Sequence, residues 1–120
     1  MKKISENPIA IKSKSFAIKI INLVKNLSEK QHEFIISRQI GKSGTSIGAN
    51  VREGLRAQSK PDFISKMSIA LKEATETDYW LELLVETEYI DEALFEQLSN
   101  ECNELISMLT SIIKTSKQNL

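Results

Sequence analysis

The chain has 120 residues, with 41% apolar and 27% charged side chains, and its 16 basic and 16 acidic residues cancel. That balance excludes a disordered chain, and four glycines and two prolines argue against a loop-rich or all-β architecture. One cysteine and one histidine exclude an intramolecular disulfide framework and, short of carboxylate help, a tetrahedral zinc site.

One composition throughout reads as a single domain over residues 1–120, with residues 1–8 and 115–120 expected to fray. Met1–Pro8 has basic residues with no apolar run behind them, so it does not read as a signal peptide. No run approaches the roughly 18 apolar residues that span a bilayer. No membrane, cofactor, metal or small-molecule substrate is expected, and the cytoplasm is the expected location.

The first helix starts after Pro8 and runs to about Leu27, with Phe16, Ile20, Leu23, Val24 and Leu27 on its apolar stripe. Ser28–Gln31 reads as the turn. A second helix runs from His32 to about Ala57, striped by Ile36, Ile40, Gly44, Ile47, Val51 and Leu55. Ser59 caps a third helix with Pro61 in its first turn, extending to about Tyr89 through Phe63, Met67, Ala70, Ala74, Thr77, Leu81 and Leu84. Asp91 caps a fourth, with Leu94, Leu98, Cys102, Leu105, Leu109 and Ile112. Four amphipathic helices with short connections make an all-α, antiparallel up-down four-helix bundle. Ile64, Leu71 and Val85 on the third helix, and Phe95, Ile106 and Ile113 on the fourth, widen the apolar faces. Two readings stay open for them: a broad core stripe, or a second face for self-association.

All four glycines fall between residues 41 and 54. Each costs about 1 kcal/mol against Ala inside a helix. The apolar stripe nevertheless keeps phase from Ile36 to Leu55, so one continuous helix is expected rather than a loop. Its small-residue face, Ser37, Gly41, Gly44, Thr45 and Gly48, lets another backbone approach. Asn50 and Glu53 share one face of this helix, and Arg52 and Arg56 another.

Charge divides unevenly. Residues 1–60 hold 12 basic and 4 acidic residues, and residues 61–120 hold 4 and 12. Either a basic surface meets nucleic acid, or the halves neutralise each other by packing. An acidic patch on the third helix, Glu73, Glu76, Asp78, Glu82 and Glu86, reads as solvated or paired with Lys and Arg.

Familiar chemistry is absent from the pattern. Gly41-Lys42-Ser43 lacks the upstream glycine and strand of a phosphate-binding loop. Glu29-x-x-His32 has di-iron spacing, but a bundle centre needs two such pairs. His32 reads as exposed at a helix start. Cys102 lies on a core stripe with no basic residue within a turn, which reads as a buried structural thiol. The expectation is a non-enzyme with no catalytic, cofactor-binding or metal residues.

Ser46-Ile47-Gly48-Ala49-Asn50-Val51-Arg52-Glu53-Gly54, followed by Ser59, Phe63, Ala70-Leu71, Glu76, Tyr79 and Tyr89-Ile90, resembles the 23S rRNA intervening-sequence proteins, also described as S23 ribosomal-protein-like. That family pattern reads roughly Ser-Ile-x-x-Asn-Ile-x-Glu-Gly, then an aromatic residue, basic residues and Ser. Leu55 replaces the aromatic, Gly48 stands where Pro is frequent, and Arg38 and Lys42 reduce an upstream Arg-Arg pair. The resemblance implies a bacterial, left-handed up-down bundle assembled as a homopentamer. It also implies a relation to the accessory protein of diversity-generating retroelements, a basic barrel that binds nucleic acid and a reverse transcriptase. The family's molecular role is not established. Gly44, Ile47, Gly48, Asn50, Glu53, Gly54, Phe63, Glu76 and Tyr79 are the motif, packing or interface positions.

Two functions follow. In the first, Lys12, Lys14, Lys19, Lys25, Arg38, Lys42, Arg52 and Arg56 cluster on one rim and meet RNA phosphates, with Arg38, Lys42, Arg52 and Arg56 as the nucleic-acid contacts. In the alternative, the protein is an oligomeric scaffold or protein-partner adaptor without nucleic acid, and Arg52 or Arg56 pairs with Glu76 within or between subunits.

Overall fold

Residues 3–119 are described by a computed structural model. Asn7 opens the first helix, α1 (Pro8–Lys25), by accepting the Ile9 N–H on its side-chain oxygen at 3.1 Å. Pro8 occupies the first turn, where its missing N–H costs nothing. The chain then widens into a π-turn, Asn26–Lys30, which keeps Leu27 in the core.

The second helix, α2 (Ile36–Leu55), starts four residues later than its periodicity predicts. His32 adopts the left-handed conformation (φ 54°) and breaks the helical path. Glu33 then does what a short polar N-cap residue usually does. Its buried carboxylate accepts the backbone N–H groups of Ile35 at 3.1 Å, Ile36 at 3.0 Å and Ser37 at 2.7 Å. These are donors that a helix start leaves orphaned, and negative charge is favoured there. The Ser37 hydroxyl returns a hydrogen bond to the Glu33 carbonyl at 2.7 Å.

As expected, Ser59 caps the third helix, α3 (Lys60–Glu86), accepting the Asp62 N–H, and Asp91 caps the fourth, α4 (Glu92–Gln118), accepting the Leu94 N–H. α3 stops at Glu86 rather than near Tyr89. Glu88 takes a left-handed turn (φ 65°), Tyr89 N–H reaches back to Leu84 O, and Glu88 N–H reaches Val85 O. This is a Schellman closure made without its usual glycine. Of the expected fraying, residues 1, 2 and 120 lie outside the described residues. Ile4–Glu6 form a 3-10 turn, and α4 continues to Gln118, where the Lys60 ammonium donates to the Asn119 carbonyl.

Every helix buries residues on alternating steps of three and four: Ile9, Ser13, Phe16, Ile20, Leu23 on α1; Ser37, Ile40, Gly44, Ile47, Val51, Gly54 on α2; Met67, Ala70, Ala74, Thr77, Leu81, Leu84 on α3; Leu98, Cys102, Leu105, Leu109 on α4. A repeat of 3.5 is the geometry of left-handed supercoiled bundles. The result is an antiparallel four-helix rod of 46 × 21 × 21 Å. Leu71, Val85, Phe95, Ile106 and Ile113 pack on the core at partial exposure, as a broad core stripe requires, whereas the half-buried Ile64 is not among the residues packed on it.

The glycine-rich α2 is one unbroken helix. A Cβ on Gly44 would lie 2.8 Å from Ile20 Cγ2, and one on Gly48 would lie 3.5 Å from the Ser13 backbone. α1 therefore settles into a trough on α2, and the added packing offsets the helix-propensity cost. On the other flank, the buried hydroxyls of Ser43 and Thr77 are hydrogen-bonded at 2.8 Å, joining α2 to α3. α1 packs on α2 and, more lightly, on α4; α3 packs on α2 and α4. α1 and α3 thus occupy opposite corners.

Candidate nucleic-acid interface

With its buried stripe turned inward, α2 has one free face. Arg38, Lys42 and Arg52 lie on it, within about 40° of one line at 3.6 residues per turn, and Arg56 follows as the residue that ends the helix. All four are exposed. From Arg38 to Arg56 the ridge is about 27 Å long at 1.5 Å rise per residue. Ala49 and the small Thr45 separate its two cationic pairs. Thr45 and Ser46 turn their hydroxyls back to the carbonyls of Gly41 and Lys42, so neither blocks the ridge.

The eight-residue basic rim does not form as one cluster. Lys12 and Lys19 lie on the side of α1 that faces α4, where Lys12 pairs with Glu104, and Lys19 with Glu101 at 2.6 Å. The lysines are two turns apart on α1, and their long side chains converge on two carboxylates three residues apart on α4. Such part-exposed pairs contribute about 0–1 kcal/mol each. Among the described residues, Arg38, Lys42, Arg52 and Arg56 make no ion pair. The intrachain pairing of Arg52 or Arg56 with Glu76 is accordingly not formed. Glu53 pairs instead with Lys66 at 3.5 Å.

The remaining motif positions divide by depth. Gly44, Ile47, Gly48 and Gly54 are buried, with Gly54 set against Met67 and the Lys66 stem on α3. Asn50 donates to the Ser46 carbonyl at 2.9 Å, and Phe63 is half-buried against the core. Glu76 is half-buried and Tyr79 is exposed, on the outward side of α3. Within the acidic patch, Asp78 accepts from Ser99 and Asn103 on α4.

His32 is exposed in the α1–α2 connection rather than at a helix start. Cys102 is fully buried; its thiol donates to the Ala74 carbonyl at 3.2 Å. Burial, and secondarily the charge of Asp78, pushes that thiol up to about 12, far from the range of a nucleophile. Among the described residues no three His, Cys, Asp or Glu side chains are placed to hold a metal, and no helix is long and apolar enough to cross a membrane.

Sequence reasoning did not single out the exposed apolar strip on α1, where Ile11, Ile18 and Ile21 are 50%, 52% and 45% exposed. α1 is apolar on several sides, so its stripe does not separate inner from outer isoleucines by periodicity alone.

The family model for 23S rRNA-intervening sequence protein matches residues 5–111. A crystal structure from Bacteroides thetaiotaomicron VPI-5482, described as a protein with unknown function from the S23 ribosomal protein family, is 55% identical in sequence. It superposes with a TM-score of 0.87, covering 88% of this chain and 98% of that one. No curated protein matches the chain.

Proposed function

This chain belongs to the 23S rRNA-intervening sequence protein family, and from that premise we propose that it works without catalysis, as a self-assembling helical bundle that contacts structured RNA through the outward ridge of α2. One observation carries the RNA reading: Arg38, Lys42 and Arg52 on the outer face of α2, with Arg56 at its C-cap, are exposed and form no ion pair among the described residues, whereas Lys12 and Lys19 are paired. A ridge of this kind meets phosphates rather than bases, so the recognition is of RNA shape and charge. Cations free of ion pairs keep their local field in a protein whose net charge is zero, and the one carboxylate beside them on α2, Glu53, is drawn to Lys66. The buried free thiol fits the reducing cytoplasm of a bacterium.

The test is fluorescence anisotropy on a structured RNA hairpin across a salt series. Each lost phosphate contact lowers the salt slope by about 1, so R52A/R56A should bind more weakly with a slope shallower by about 2. Unchanged affinity and slope in that double variant removes the assignment of the ridge. Absence of binding by the unaltered protein at low salt transfers the function to the scaffold or protein-adaptor reading.

A further inference from the structure

The charge of the rod is divided between its two ends. At one end α1 and α3 begin, and α2 and α4 finish. The Lys60 ammonium donates to the Asn119 carbonyl there at 3.0 Å, and Ser5, Lys14 and Arg52 line one cleft, so all four helices meet at this end. Its residues, 3–14, 49–66 and 112–119, include nine basic and three acidic side chains. The opposite end, residues 19–42 and 80–98, holds five basic and eight acidic ones. Lys14, Arg52, Arg56, Lys60, Lys114 and Lys117 are exposed at the basic end and form no ion pair among the described residues. The rod is 46 Å long, several times the roughly 8 Å over which physiological salt screens a charge. The acidic end therefore leaves the field of the basic end standing, although the net charge is zero.

Position now matters as much as charge. α2 and α4 are diagonal corners of the bundle, since each packs on α1 and α3. Arg52 and Arg56 finish the ridge that runs along the rod on the α2 corner, whereas Lys114 and Lys117 lie on the last turns of α4, three residues apart. Lys60, in the α2–α3 connection, stands between the two corners. A straight duplex laid on the ridge stays on the α2 corner, so only a backbone that turns over the 21 Å end reaches both sets of cations. The path is recessed: a cleft of about 450 Å³, edged by Gln58, Ser59, Lys60 and Ser116, opens between the α2–α3 connection and α4. Its amide, hydroxyl and ammonium groups are hydrogen-bond donors for a crossing phosphate chain. We propose that the RNA this protein takes is one whose backbone turns, a stem running into a loop. The stem lies along the α2 ridge, and the loop crosses the basic end from Arg56 over Lys60 to Lys117 and Lys114. This names the class of RNA for the proposed function and rests on that reading. Unpaired backbone bends where a duplex does not, and phosphate contacts of this kind read shape rather than sequence. The acidic end repels phosphate, which fixes the polarity: the loop sits at the α2–α3 connection, not at the α1–α2 connection.

Fluorescence anisotropy of the full chain across a salt series, with an RNA stem–loop and with a blunt duplex of the same stem, tests the crossing. The unaltered protein should bind the stem–loop more tightly and with the steeper salt slope. K114A/K117A should keep the helical circular-dichroism spectrum, lower the stem–loop slope by about 1–2, and leave the duplex unchanged. R52A/R56A should weaken both probes. K25A/K30A removes the same charge at the acidic end and should change neither. Equal binding of the two probes by the unaltered protein overturns the crossing and leaves the ridge standing. So does a K114A/K117A variant that shifts both probes alike or neither, or a K25A/K30A variant as damaging as K114A/K117A. Absence of binding to both probes removes the RNA reading and this inference with it. Flotation on phosphatidylglycerol vesicles that K114A/K117A abolishes, without RNA binding, assigns the basic end to an anionic lipid surface and also overturns the proposal.

Discussion

Replacing Gly44 by alanine should destabilise the bundle even though alanine is the better helix former. A Cβ at this position would stand 2.8 Å from Ile20 Cγ2, 2.9 Å from Cγ1 and 3.2 Å from Cβ. Ile20 is fully buried and β-branched, so it cannot rotate away. The room must come from moving α1 off α2. Overpacking of this kind costs about 1–3 kcal/mol, against about 1 kcal/mol gained in helix propensity. With three Ile20 carbons inside contact distance the cost falls in the upper part of that range, so the net loss is about 1–2 kcal/mol, or about 4–8 °C in Tm for a domain of this size. Urea unfolding followed by helical circular dichroism measures it. The double-mutant cycle is sharper: I20A alone costs about 2–5 kcal/mol, but in its background G44A should become stabilising, because the clashing atoms are gone. G41A is the control, since its Cβ meets one Val24 methyl at 3.3 Å on a part-exposed side. If G44A is as stable as the unaltered protein, or destabilises equally with and without the Ile20 side chain, the close helix approach is not what these glycines serve.

Two further outcomes follow from buried groups. E33A removes the acceptor for three α2 N–H groups and should cost about 1–2 kcal/mol, with amide exchange accelerated first at Ile35, Ile36 and Ser37. Cys102 sets an alkaline limit. The folded thiol, pushed up to about 12, stays protonated where the unfolded thiol ionises near its ordinary value of 9.0. Below that value both states are protonated and stability does not depend on the group. Between 9.0 and about 12 only the unfolded state loses the proton, so the folded state is progressively disfavoured, by up to about 1.4 kcal/mol per pH unit. C102A lacks this component: its unfolding midpoint should fall less steeply with rising pH than that of the unaltered protein. Parallel slopes above pH 9.0 would contradict the burial of the thiol.

The core was legible because its cause is local. Alternating steps of three and four mark each helix, and Ser59 and Asp91 carry ordinary capping chemistry. Reading α2 as continuous through four glycines succeeded because the apolar phase survives them. The boundaries that failed did so where an unusual residue performs a familiar task. Glu33 caps a helix from a position the periodicity assigns to its first turn, and Glu88 closes α3 in a conformation that usually announces itself as glycine. Neither signal is in the residue type. The candidate interface was half legible. Arg38, Lys42 and Arg52 share a face by spacing alone, and Arg56 extends them as the C-cap of α2. That Lys12 and Lys19 leave the basic set is a tertiary fact, decided by Glu101 and Glu104 more than eighty residues away. The exposed isoleucine strip of α1 needed the fold as well, since exposure separates Ile18 and Ile21 from the equally apolar Ile20.

The most direct measurement is light scattering on the protein from a cell lysate, resolved by size exclusion with absorbance at 260 and 280 nm, at low and at high salt. The account predicts an oligomer that carries nucleic acid at low salt and sheds it at high salt without changing its protein mass. An oligomer already free of nucleic acid at low salt would contradict the RNA role and leave the α2 ridge to a protein partner.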